Sequence, residues 1–299
     1  MSNWKVYKNG NYIVRFNTKN GTKIRETNED EFIPSFAENM DIKLCNRCDM
    51  GCVFCHEGST KDGKLGDILN YKLIDTLHPY QEVALGGGNV LEHPDLVPFL
   101  EKLKARKVIA NITVHQCHFE KCQDMIRDLV DRKLIYGLGV SLSSPTKEFI
   151  SLIKQYPNAV IHVINGILEP SDVEMLADND LKMLILGYKT LRRGADWAKH
   201  HFEKIVVKQS WLKENLAEII NHFKVVSFDN LAIEQLDVKR LMSEEEWNEF
   251  YMGDDSEFTY YIDLVEGKFA KSSTAPLDER YDILDSVDDM FGRIRLKKI

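Results

Sequence analysis

From Met40 onward, seven short apolar runs recur with longer amphipathic stretches between them, and this rhythm constrains the fold more than any other feature. The runs are "DIKL" (41–44), "EVALG" (82–86), "VIANITV" (108–114), "YGLGVSL" (136–142), "AVIHVIN" (159–165), "KMLILG" (182–187) and "KVVSF" (224–228). Runs that are apolar through most of their length read as strands buried on both faces, the mark of a parallel sheet covered by helices. The stretches between them carry a helical period. Phe119, Cys122, Met125, Ile126, Leu129 and Val130 share one face, and Trp211, Leu212, Leu216, Ile219, Ile220 and Phe223 share another. The expected fold class is α/β, a partial parallel (β/α)6-type barrel. An open doubly wound sheet is the competitor, and periodicity does not separate the two.

The flanks depart from this rhythm. Residues 1–26 read as a β meander, with tight-turn signals at Asn9-Gly10 and Asn20-Gly21. Ser243 with Glu246 forms a capping box that opens a helix ended by Gly253, and "EFTYYIDLVEGKFAKSS" reads as a β hairpin turning near Glu266-Gly267. The last twenty or so residues alternate charge and apolar groups without a clear period. The expected organisation is an N-terminal β meander (1–38), the partial barrel (39–230), and a C-terminal helix plus β hairpin extension (231–299) that behaves as an appendage.

No apolar run approaches the ~20 residues that cross a bilayer, and the N-terminal sequence lacks a secretory pattern, so a cytoplasmic location without membrane partners is expected. The net charge of −8 argues against a general nucleic-acid surface. The most cationic stretch, "LRRGADWAKHHFEK" (191–204), reads as a solvated helix face and loop.

"CNRCDMGCVFCHE" (45–57) places four of the six cysteines in eleven residues. In that compartment, metal or redox chemistry takes precedence over disulfides. Two CxxC arms offer a four-thiolate zinc site, but zinc arms are normally a dozen or more residues apart, and here only Asp49, Met50 and Gly51 intervene. A four-cysteine iron–sulfur site is also open, although ferredoxin-type runs have other spacings. The remaining reading uses Cys48, Cys52 and Cys55 as C-x3-C-x2-C and leaves Cys45 outside.

That last spacing resembles the radical S-adenosylmethionine (SAM) superfamily, whose motif follows the first strand of a parallel α/β barrel, as it does here after "MDIKL". Phe54, an aromatic before the third cysteine, is similar to that family's loop. "ALGGGNVLEHPDL" resembles its Gly-Gly-Glu segment at Gly87 and Gly88, with Asn89 where Glu is usual; a plain strand-to-helix turn is the other reading. "HVINGILE" (162–169) fits a G-x-I-x-G-x-x-E pattern at Ile164, Gly166 and Glu169 but not at His162. The resemblance covers about residues 40–230 and is absent from both flanks.

The resemblance implies a [4Fe–4S] cluster on Cys48, Cys52 and Cys55, with the fourth iron left for SAM. Reductive cleavage then gives a 5′-deoxyadenosyl radical that abstracts hydrogen from a substrate, be it a peptide, a nucleotide or RNA, or a partner enzyme. It implies an electron donor such as flavodoxin or ferredoxin. It further implies SAM contacts from Phe54, Gly87, Gly88 and Asn89, from Ser141 and Ser143 at the fourth strand, from Asn165 at the fifth, and from Gly187 at the sixth; satisfied strand ends or turns are the other reading of the last four. The two flanks would then cap or line the barrel mouth. The rival is a non-catalytic four-cysteine zinc-binding or regulatory module on an α/β scaffold.

Among other features, His200-His201 are adjacent and make a poor chelate on a helix. His56 reads as a loop residue beside the cysteines, and His115 as one that points into the barrel mouth. Cys117 and Cys122 read as packing residues.

Overall fold

The computed structural model describes residues 3–296, so the first two residues of the expected meander and the last three of the tail lie outside it. β1 (Trp4–Asn9), β2 (Tyr12–Asn17) and β3 (Lys23–Glu26) form a separate antiparallel sheet. The seven central runs become β4 (Asn39–Cys45), β5 (Glu82–Gly87), β6 (Ile109–His115), β7 (Gly137–Ser141), β8 (Ala159–Ile164), β9 (Lys182–Leu186) and β10 (Val225–Phe228). All pair in parallel with their sequence neighbours, and helices follow most of them. Alternate residues turn outward under those helices. Met40, Ile42, Leu44, Val83, Leu85, Ile112, Val114, Ile161 and Ile185 all join one buried core, each such side chain contributing about 1.5–3 kcal/mol.

The sheet curves without closing. β11 (Thr259–Asp263), β12 (Lys268–Ala270) and β13 (Tyr281–Asp282) extend it beyond β4, giving the order β10-β9-β8-β7-β6-β5-β4-β11-β12-β13. The expected hairpin is therefore present as β11–β12, and β11 also pairs in parallel with β4 over Thr259–Asp263. Its Tyr260 and Ile262 enter the main core. The C-terminal tail also holds a helix, Val287–Arg295, that the sequence reading missed; it is capped by Ser286 and buries Val287, Met290, Phe291 and Ile294.

The N-terminal meander is not at the barrel mouth. Phe16, Thr18, Asn20 and Gly21 line a cavity of about 390 Å³ together with Glu82, Tyr136 and Lys182, which lie at or beside the N-terminal ends of the strands. The meander thus plugs the end opposite the cysteine loop. Charge fixes it there: Glu38 receives Arg25 at 2.7 Å and the Tyr12 hydroxyl at 2.7 Å, and Lys23 reaches Glu82 at 2.8 Å. These ions are buried or nearly so and paired, as burial requires.

Candidate metal centre and cofactor pocket

The cysteine loop leaves the sheet at the C-terminal end of β4, where parallel α/β proteins build their sites. β5 ends beside it, and its glycines explain how close the two chains run. A Cβ on Gly87, whose φ is +113°, would stand 2.4 Å from the Cys45 carbonyl oxygen, and one on Gly88 would stand 2.1 Å from that of Arg47. The Gly88 and Asn89 amides donate to those same carbonyls. Gly87 and Gly88 thus serve backbone approach to the cysteine loop. Gly86 differs: a Cβ there would meet nothing within 4 Å, so this glycine faces open space. The Asn89 side chain is used locally. It accepts from the Leu91 amide and donates to Glu92 at 2.9 Å.

The four thiols fall into two environments. Cys45 is fully buried, and burial pushes its pKa up to about 11. Cys48, Cys52 and Cys55 are half-buried. The pKa values of Cys48 and Cys52 are raised by burial and then by neighbouring charge, which for each includes Cys55. Three half-buried thiols on one loop, with a fourth buried in the sheet end, suit a cube that takes one thiolate at each of three corners. The four do not converge on one ion: among the described residues, the donors close enough to share one are Cys48, Asp49 and His118.

Two arginines clamp this loop, a correction to the solvated reading of residues 191–204. Arg193 donates to the Cys52 carbonyl at 3.0 Å and the Ser59 carbonyl at 2.8 Å, and Arg192 donates to that of His56 at 3.0 Å. An irregular loop leaves carbonyls without ladder partners, and the guanidinium fork satisfies several at once. Behind the loop, fully buried Lys43 lies 2.8 Å from Glu57 and 3.1 Å from Asp263. Arg192 at 3.5 Å from Glu57 and Arg280 at 3.7 Å from Asp263 complete the network. Although burial works to raise the Glu57 pKa, His56 and Lys43 hold it well below the usual carboxylate range.

Phe54 lies at a cavity of about 300 Å³ with Ser143, Ile164, Gly166, Ile167 and Trp197. Ser143 is held by Gln116, a buried residue that the sequence reading missed; its Oε1 accepts from the Ser143 and Ser144 amides at 3.0 Å each. Ser141 ends β7, in register with His115 and His162. Asn165, fully buried, donates to Gln235 at 3.1 Å and leaves its Oδ1 without a partner. Gly187 is apart from this cavity. A Cβ there would meet Leu231 at 2.4 Å, and its amide donates to Asp229, so helix packing requires the glycine. His115 caps the helix Gln116–Lys121 by accepting from the Cys117 amide.

The inner face of the sheet is polar. Asp41 opens to this lumen, but the surrounding protein raises its pKa to about 6 by burial, opposed by Lys189. Burial, with Lys189, lowers His162 to about 4, so its imidazole is neutral. Gly139 leaves the space for that ring, since a Cβ there would stand 2.4 Å from His162 Cε1. Lys189 crosses to Ser273 at 3.1 Å. Near that crossing, a wider cleft of about 820 Å³ lies between the helix Asn230–Leu236 and the segment after β12, lined by Glu234, Asp254, Asp255, Lys271 and Glu279 among others. No helix among the described residues is long and apolar enough to cross a membrane.

No family model matches the sequence, and no curated protein does. The fold does have solved counterparts. The structure of Streptococcus suis SuiB bound to precursor peptide SuiA superposes with a TM-score of 0.59 at 12% identity, covering 90% of this chain and 82% of that one. SuiB bound to S-adenosylmethionine gives a TM-score of 0.55 at 13% identity, covering 91% and 82%. The chain therefore shares the fold of SuiB, with a large parallel sheet that is not closed.

Proposed function

We propose that this chain is a radical SAM enzyme whose [4Fe–4S] cluster is held by Cys48, Cys52 and Cys55. The observation that carries this reading is the placement of three half-buried cysteines, Cys48, Cys52 and Cys55, on the loop at the C-terminal end of β4 beside the Phe54 cavity, with Cys45 buried in the sheet end. SuiB in complex with S-adenosylmethionine shares the fold, which supports SAM as the second cofactor. Once bound, the cluster would supply the electron that cleaves SAM to a 5′-deoxyadenosyl radical, the species that takes hydrogen from the substrate.

This chain's own residues position and enclose the reactants. Arg192 and Arg193 fix the loop backbone and set positive charge beside three thiolates. Phe54, Ile167 and Trp197 offer apolar walls for adenine, with Ser143 as a polar partner for the sugar, while Asn165 lies outside this cavity against Gln235. Gly86 gives the methionine end a place to approach bare backbone. Substrate enters by the cleft at the open seam, which leads toward Lys189 and Asp41. Peptide is the substrate class favoured by the comparison, since SuiB binds a precursor peptide in the same fold.

The test is anaerobic: reconstituted protein, reductant and SAM, with 5′-deoxyadenosine measured against a control lacking reductant. Formation above that control is expected. Protein that carries the full cluster and binds SAM, yet never cleaves it with any reductant or peptide, would refute the reading.

A further inference from the structure

Cys48 has neighbours on two sides. In its own loop lie the thiols of Cys52 and Cys55. Across from it, on the helix Gln116–Lys121, lies His118, which is 4% exposed. The His118 Nε2 sits 2.7 Å from Oδ1 of Asp49, while its Nδ1 is buried without a hydrogen-bond partner. Donor atoms of Cys48, Asp49 and His118 all lie within 4.8 Å of one another.

The Cys48 thiol, the Asp49 carboxylate and the His118 imidazole thus face one another from the loop and the helix, and three unlike donors that converge in this way can share one cation. Asp49 is half-exposed and free to shift as an ion enters. A thiolate, an imidazole and a carboxylate form a borderline-soft set, suited to a four-coordinate zinc ion with water in the last position.

We propose that Cys48, Asp49 and His118 form a mononuclear zinc site that the chain uses when its iron–sulfur cluster is absent. The proposal rests on the reading of Cys48 as a cluster ligand. Zinc and cluster then exclude each other, because both require the Cys48 thiolate. Zinc binding would hold the loop in a form that cannot cleave SAM, so the balance of zinc and iron would set the active fraction.

The experiment titrates anaerobic, metal-free full-length protein with Co²⁺, an optical probe for zinc sites. A single Co²⁺ per chain is expected, with a thiolate-to-metal charge-transfer band. The Cys52→Ala/Cys55→Ala double variant should bind it with unchanged affinity. Cys48→Ala and His118→Ala should each lose at least about tenfold, and Asp49→Asn about tenfold. His118→Gln, which keeps a polar partner for Asp49, guards against a folding defect, and it should show the same loss as His118→Ala. Prior zinc should slow cluster reconstitution of the native chain but not of His118→Gln. The proposal is overturned if Co²⁺ affinity falls as far in the Cys52/Cys55 variant as in Cys48→Ala, or if both His118 variants bind as the native chain does. Failure of the cluster reading would show separately, as iron retained by the Cys52/Cys55 variant.

Discussion

Lys43→Met is the most informative single perturbation of the scaffold. The Lys43 ammonium is 1% exposed and touches two carboxylates, Glu57 at 2.8 Å and Asp263 at 3.1 Å. Met fills nearly the same volume, so the cost comes from charge rather than a cavity. Removing one partner of a buried ion pair costs about 3–5 kcal/mol, because the remaining charge stays out of water. Two carboxylates are orphaned here, but each keeps a cation, Arg192 near Glu57 and Arg280 near Asp263. The expected loss is therefore about 3–5 kcal/mol rather than twice that. Urea denaturation of metal-free protein reads it as a lower midpoint with an unchanged slope. Because Glu57 lies two residues after Cys55, iron incorporation should fall as well. The triple variant Lys43→Met/Glu57→Gln/Asp263→Asn, which removes the orphaned charges, should recover most of the stability. A single-variant loss below about 1 kcal/mol, the range of an exposed pair, would refute the reasoning.

Two further outcomes follow from the geometry. Gly88→Ala forces a Cβ to 2.1 Å from the Arg47 carbonyl and should disrupt the cysteine loop and its iron content, whereas Gly86→Ala meets no atom and should fold normally but bind SAM more weakly by calorimetry; equal iron content in the two variants would count against it. His162 titrates near 4 in the fold and near 6.5 unfolded, so the unfolded chain binds more protons between these values and stability falls as pH drops from about 6.5 to 4. The loss is about 2–3 kcal/mol after allowance for lumen water, and His162→Gln should flatten that part of the urea-midpoint profile; parallel profiles would contradict it.

Much of the fold is legible in the sequence because most of the strands β4 to β10 carry short apolar runs separated by amphipathic helical stretches, the pattern of a parallel sheet covered by helices. β11 is not legible as part of that sheet. Its Tyr261 and Asp263 alternate with core residues, so it reads as half of a local hairpin, and its partner β4 lies some 200 residues away. The helix at 287–295 does carry an i, i+3, i+4, i+7 apolar set, but Asp288, Asp289, Arg293 and Arg295 between those positions look like plain charge alternation. Cys48, Cys52 and Cys55 stand out by spacing. Arg192, Arg193, Gln116 and His118 do not, because side chains that reach loop carbonyls, amides or a carboxylate across the chain leave no periodic trace. The glycines after "AL" were legible as special, yet only the structure separates Gly86, open to the lumen, from Gly87 and Gly88, pressed against the loop.

The central claim, that Cys48, Cys52 and Cys55 carry the cluster while Cys45 stands aside, is tested most directly by iron and sulfide content alongside 5′-deoxyadenosine yield across four single alanine variants. Cys45 is fully buried at the end of β4, whereas the other three are half-buried on the loop that follows. Cys45→Ala is therefore predicted to retain about four iron per chain and SAM cleavage, while alanine at any of the other three should lose both. Loss of iron in Cys45→Ala, together with its retention in Cys48→Ala, would contradict the account.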